Sequence, residues 1–211
     1  MFYNLHTHKS TNQDNVLEIV NQYPNEFDAS VNYFSIGIHP WYIDLENVDN
    51  HLIVIEEKLQ LENCLALGEC GLDKRIETSL EIQTEVFEKQ LILAKKHKKP
   101  VILHCVSAYQ EVIEIKKRLK VDVPMVIHGF SKNEQVAKSL LDNGFYLSFG
   151  KYLLRNPELA FVFENVPNHQ FLLETDMVEE TIFDVYEKAS SIKKINLEST
   201  VESNFKSIFK L

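Results

Sequence analysis

Eight short apolar runs, each closed by turn-forming residues, constrain this 211-residue chain more than any other feature. They are FYNLH (2–6), VLEIV (16–20), YFSIGI (33–38), CLALG (64–68), VILH (101–104), MVIH (125–128), FYLSF (145–149) and FLLE (171–174). Runs of this length, often rich in Val, Ile or aromatics, read as buried strands. VLEIV is the least strand-like and also suits a helix. Amphipathic stretches lie between the runs. Thr78 to Glu81 fits a T-x-x-E capping box, after which Val86, Phe87, Gln90, Leu91 and Ala94 share one helical face. Val112, Ile115 and Leu119 mark a second helix; Val136, Leu140 and Leu141 mark a third that ends at Asn143-Gly144. Two more are expected over 181–193 and 198–209. Strands alternating with helices require a parallel sheet with crossover helices. Eight strands in one chain of this length point to a single domain over 1–211, a TIM (β/α)8 barrel trimmed at its first two connections. An open doubly wound sheet is the alternative.

Composition narrows the function classes. Hydrophobic residues make up 45% of the chain, yet no stretch reaches the ~18 or more apolar residues that a membrane helix needs. The N-terminus MFYNLHTHKS lacks a basic region followed by an apolar core. A cytoplasmic location without a membrane partner is therefore expected. Cys64, Cys70 and Cys105 are widely spaced and odd in number, which fits a reducing compartment and offers no CxxC zinc site. The formal net charge is −9, whereas proteins that grip long nucleic acids carry basic surfaces. Only KKHKK (95–99) is locally basic, and its place before Pro100 reads as cations complementing a helix C-terminus. Attraction for a polyanionic substrate would then come mainly from bound metal.

The chemistry-bearing residues collect at the ends of the apolar runs. His6 and His8 (LHTH), His39 (GIHP), His104 (VILHC) and His128 (VIHGF) do so, as do Glu69 (ALGE) and Asp176 (LLETD). In parallel α/β folds the C-terminal ends of the strands form the functional edge. His6 and His8 are two apart, so on a strand both imidazoles point to one face and can bind one ion with an oxygen from Asp176. His104 and His128 stand at equivalent ends of successive strands and suit a second ion, with Glu69 able to bridge the two. Imidazole with carboxylate favours zinc, manganese, iron or cobalt, while magnesium prefers all-oxygen shells.

The segments LHTH, GIHPW, ALGECGLD, EVFEKQLILAKKHKKPVILH, VIHGFS, GFYLSFG and LLETD occur in the order found in the TatD family of metal-dependent deoxyribonucleases, and the chain resembles that family over most of residues 3–176. The resemblance implies a barrel of the amidohydrolase-like superfamily that hydrolyses phosphodiester bonds of DNA with two divalent ions, drawn from zinc, manganese, magnesium, cobalt or nickel. Carried over by motif, His6, His8 and Asp176 would hold one ion, His104 and His128 the other, and Glu69 would join both. Glu69 and Asp176 would be the catalytic carboxylates. The chain departs from the family after His104, where CVSAYQ lacks an arginine, and after Asp176, where MVEETIFDVYEKA runs almost directly into a helix.

Four further residues are candidate substrate contacts. His39 can hydrogen-bond a phosphate, Trp41 can stack on a base, and Lys74 and Arg75 can pair with phosphate. Their competing readings are a proline-fixed turn with Trp41 packed on the rim, and two solvated cations. Cys70 and Cys105 read as small rim residues, and His51, His97 and His169 as surface histidines. The favoured function is a metal-dependent phosphodiesterase acting on DNA or a small phosphodiester. An amidohydrolase or esterase on a small substrate, and a non-catalytic binding protein, are the rivals. The sequence leaves the oligomeric state open.

Overall fold

In the computed structural model, which describes residues 1–177 and 179–211, every apolar run lies on a strand. Val178, in the MVEET stretch, lies outside the described residues. The strands are β1 (Phe2–Thr7), β2 (Val16–Gln22), β3 (Phe34–Ile36), β4 (Cys64–Asp73), β5 (Val101–Val106), β6 (Met125–Ile127), β7 (Tyr146–Phe149) and β8 (Phe171–Leu173). The helices are α1 (Val48–Lys58), α2 (Leu80–His97), α3 (Tyr109–Arg118), α4 (Glu134–Asp142), α5 (Lys151–Arg155), α6 (Pro157–Asn165), α7 (Ile182–Lys193) and α8 (Glu198–Phe209). No helix among the described residues is long and apolar enough to cross a membrane.

The chain forms two compact units, Met1–Val20 with Val126–Leu211, and Asn21–Met125. In the first, β1 pairs with β2, β6 with β7 and β7 with β8, all parallel. A parallel bridge between Thr7 and Asp176 ties the end of β1 to the residues after β8. Aromatic rings fill this core: Phe149, Phe163 and Phe171 meet edge to face at 4.8 and 4.9 Å between centroids. Thr181 caps α7 in a capping box with Asp184, so the MVEET stretch does lead straight into a helix.

In the second unit β3, β4 and β5 pair in parallel. β4 is buried along its whole length and runs past the CLALG segment to Asp73. Glu69 therefore lies within a strand rather than at its end, because pairing with β5 continues from Cys70↔Leu103 to Asp73↔Val106. The cap of α2 is Ser79, whose hydroxyl accepts from the Ile82 amide, rather than the expected Thr78–Glu81 box. The basic run closes the last turn of α2, as the helix-end reading expects, and three of its side chains are tied down: Lys95 Nζ donates to the Leu119 carbonyl at 2.6 Å, His97 meets Glu56 at 3.0 Å and Lys99 Nζ donates to the Cys64 carbonyl at 2.6 Å.

Two buried glutamines on α2 pin the strand ends that carry functional residues. Gln90 accepts from the Ile38 amide at 2.7 Å and donates to its carbonyl at 3.1 Å, which fixes the backbone just before His39. Gln83 accepts from the Asp73 amide at 2.7 Å and donates to the carbonyls of Asp73 at 2.9 Å and Thr78 at 2.7 Å. Each buried backbone group left unpaired costs about 1–3 kcal/mol. Gln83→Leu is thus expected to lower unfolding free energy by about 3 kcal/mol in urea denaturation. A change within about 0.5 kcal/mol, the range of ordinary surface substitutions, would show that these pins carry no weight.

Candidate metal centre

Each unit gathers its chemistry at or near the C-terminal ends of its strands, with Glu69 reaching in from the middle of β4. In the first, His6, His8 and Asp176 bring one ligand atom each within 4.8 Å of the others. His6 is wholly buried on β1, and its ring lies 5.0 Å from that of His8, centroid to centroid. Asp176 Oδ1 faces His8 Nε2 at 3.5 Å and His6 Nε2 at 3.9 Å. Asp176 Oδ2 accepts from Lys151 Nζ at 2.7 Å. Burial alone would raise the Asp176 carboxyl, but the hydrogen bond with His8, the fields of His128 and His6 and the Lys151 bond together hold it well below the usual carboxylate range.

His128 follows β6, with its ring 4.6 Å from that of His6. Its Nδ1 lies 3.3 Å from Glu174 Oε1, which also accepts from the Gly129 amide at 2.8 Å. With Nδ1 committed there, Nε2 is the nitrogen that His128 would offer an ion. Glu174 Oε2 is buried and accepts no hydrogen bond among the described residues. A buried carboxylate in that state calls for cationic surroundings.

The second unit brings His39, Glu69 and His104 together, again with ligand atoms within 4.8 Å. Glu69 Oε1 lies 2.9 Å from His104 Nδ1 and 3.2 Å from His39 Nε2. The Trp41 amide donates to His39 Nδ1 at 3.1 Å, which makes Nε2 the protonated nitrogen that donates to Glu69. The Glu69 amide is held by Asn21 Oδ1 at 2.7 Å. His104 Nε2 lies 3.3 Å from Asp73 Oδ2, which also accepts from Trp41 Nε1 at 2.8 Å. Burial would raise the Asp73 carboxyl; the bonds from Trp41, the Arg75 amide and His104 bring it below its ordinary value.

Of the candidates without a ligand's chemistry, Lys74 and Arg75 fall outside these clusters, whereas Trp41 borders the second through Asp73, His39 and His104. Lys74 is exposed and paired with Glu111, and Arg75 is exposed. Trp41 keeps more than half its surface in solvent at 56%. Burial pushes the Cys105 thiol up to about 12 and the Cys70 thiol well above its ordinary value. Neither sulfur belongs to the groups of ligand atoms described above. The donors are then imidazole nitrogens and carboxylate oxygens, a set that fits zinc, manganese or cobalt. Asp73, Glu174 and Lys151 are additions that sequence reasoning missed. The first two stood within the quoted motifs ALGECGLD and LLETD, close to residues that were singled out.

The model of the TatD-related DNase family matches residues 2–210. An uncharacterized metal-dependent hydrolase of Haemophilus influenzae is 31% identical over 159 residues, 71% of this chain and 60% of that protein. The uncharacterized metal-dependent hydrolase YabD of Bacillus subtilis is 35% identical over 149 residues, 68% of this chain and 58% of that protein. The matched stretch spans less than two thirds of either relative. Among solved structures, YJJV, a TatD homolog from Escherichia coli K12, is similar with a TM-score of 0.84 at 21% identity, over 100% of this chain and 98% of that one. That likeness shows the fold, a TIM (β/α)8 barrel with its eight strands in chain order, and sets aside the doubly wound sheet. With this fold and a family match from the second residue to the last but one, the chain belongs to the TatD-related DNase family.

Proposed function

We propose that the chain is a divalent-metal-dependent hydrolase of phosphodiester bonds, acting on DNA or a small phosphodiester. The observation that carries this reading is the His6, His8 and Asp176 cluster, whose carboxylate is kept ionised by its neighbours. His6, His8 and Asp176 are taken as ligands of one ion, and Glu69, His104 and His128 as further metal ligands. Divalent ions at such sites act as Lewis acids toward phosphoryl oxygens and lower the pKa of water. The protein's own groups do the rest. Asp176, ionised at neutral pH, can accept the proton of the attacking water. Glu174 orients the His128 ring, while Asp73 and Glu69 grip His104 from both sides. Lys151 brings a cation to Asp176 in a chain that lacks the arginine after His104.

The test compares wild type with Glu69→Ala for Mn²⁺- or Mg²⁺-dependent cleavage of labelled single-stranded DNA. Cleavage by wild type, lost by about 10²-fold or more in the variant, is expected for a group positioned at the reacting phosphate. Metal-loaded protein that leaves DNA, RNA and aryl phosphodiesters intact would rule this substrate class out. The acidic balance of the chain, with a net charge of −9, favours the second reading, an amidohydrolase or esterase on a small substrate. Turnover of amides or carboxyl esters without phosphodiester cleavage would establish it.

A further inference from the structure

A cavity of about 420 Å³ opens beside His39 in the second unit, between the residues after β2 and those after β3. That volume lies in the range of about 300–1,000 Å³ typical of small-molecule sites. Its walls are aromatic. Tyr23 and Tyr42 meet edge to face at 5.5 Å, and the Tyr42 ring is tilted against the His39 ring, also at 5.5 Å. His39 is shared with the candidate metal centre, where its Nε2 faces Glu69 at 3.2 Å, so the cavity adjoins that unit's catalytic edge. The polar part of its lining includes the carboxylates of Glu26 and Asp44, the amide of Asn47 and the imidazoles of His39 and His51. No lysine or arginine lines it among the described residues. Asp44 accepts from the Asn47 side chain at 2.8 Å and from the Glu46 amide at 3.1 Å, and these bonds hold its carboxyl below the ordinary range.

With two carboxylates and neither lysine nor arginine among its described lining residues, such a cavity disfavours phosphate. It suits a flat ring that stacks on tyrosine and offers hydrogen-bond donors to carboxylates, since an ionised carboxylate only accepts. Among nucleobases, cytosine, adenine and guanine carry an exocyclic amine, whereas thymine turns carbonyl oxygens outward. We infer that this cavity is a base-binding subsite that takes an amino-bearing nucleobase of the substrate and discriminates against thymine. The inference rests on the phosphodiesterase reading, and it supplies the selectivity that the acidic surface denies to backbone contacts. Asp44 and Glu26 accept from the amine, and Tyr42 and Tyr23 stack on the ring.

The experiment has two arms. In the first, metal-loaded protein is assayed on labelled oligo-dC and oligo-dT of equal length. The expected result is kcat/KM about tenfold or more higher for oligo-dC, a ratio that falls toward one in Asp44→Asn. Asparagine can keep the turn by accepting from the Glu46 amide, so the variant removes charge rather than structure. In the second arm, deoxycytidine and deoxythymidine are titrated against the metal-free protein. Trp41, the single tryptophan of the chain, packs on His39 at 5.2 Å between centroids and reports occupancy by its fluorescence. Deoxycytidine is expected to change that signal and deoxythymidine to change it about tenfold more weakly. Tyr42→Ala, at an exposed position, should weaken the response without unfolding the protein. Equal cleavage of the two oligomers overturns the subsite and leaves the phosphodiesterase reading standing. Cleavage of neither overturns that reading, and the titration then decides alone. Selective binding lost in Asp44→Asn keeps the subsite, and no response to either nucleoside removes it.

Discussion

Asp176→Asn is expected to lower metal-dependent hydrolysis by about 10³-fold or more while leaving the fold in place. The substitution isolates charge from shape. Asp176 has a φ of 60°, in the left-handed region that asparagine tolerates and alanine does not favour. Its amide donates to the His6 carbonyl at 2.9 Å, a bond that an asparagine keeps. What disappears is the negative charge facing His8 and His6, together with the ion pair of the half-buried Lys151. Calorimetric titration with Mn²⁺ should show affinity weakened by about 10–100-fold or more, the size seen when even supporting groups of a metal site are removed. Full activity with unchanged Mn²⁺ affinity would remove Asp176 from the ligand set. A second readout follows from its depressed carboxyl. The unfolded value is about 3.9, and the folded value is lower. The stabilisation is therefore complete above the unfolded value and is lost as pH falls toward the folded one. In metal-free protein, the stability gap between wild type and Asp176→Asn should be widest at pH 6 and shrink through pH 4 and below.

The parts legible in the sequence were those written into local patterns. Apolar runs closed by turn formers located all eight strands, and Val112 and Ile115 located α3 by a buried stripe, with Leu119 as its C-cap. α1 escaped notice because its stripe is interrupted. Only Val48 and Ile55 are buried, Ile53 is 66% exposed, and Asn47 makes no side-chain cap. α5 and α6 escaped because Asn156-Pro157 reads as a turn, although Pro157 opens a helix that Asn156 caps. His6, His8 and Asp176 were legible because each follows an apolar run, and strand direction alone then sends them to one edge. The second cluster was legible only in part. Glu69 and His104 could be picked out one at a time. That Asp73 grips the far side of His104, or that Gln83 and Gln90 set the loops, depends on partners 10 to 52 residues away in the chain, which no local pattern encodes.

Gly71→Ala is expected to destabilise the protein by about 3 kcal/mol or more, with His104 as the first casualty. Glu69, Gly71 and Asp73 alternate along β4, and two carboxylates on one face need room for the imidazole that both of them grip. Gly71 provides it. It pairs with His104 in the sheet and has a φ of 141°, which L side chains rarely adopt. A Cβ there would overlap the His104 carbonyl oxygen and sit 3.0 Å from its carbonyl carbon, and backbone cannot swing aside as a side chain would. Gly129→Ala is the matched control. Gly129 also has a positive φ, 57°, but its added Cβ would meet only Glu174 Oε1, at 3.7 Å. It should lose about 1–2 kcal/mol, the strain of the left-handed conformation alone. Urea denaturation of the two variants separates strain from collision. If Gly71→Ala lost no more than Gly129→Ala, the close approach of β4 to His104 would not be the constraint that holds Glu69, His104 and Asp73 in line. A larger loss, with weakened Mn²⁺ binding in the folded variant, would show that one missing methyl group in a buried strand is what lets a histidine stand between two carboxylates.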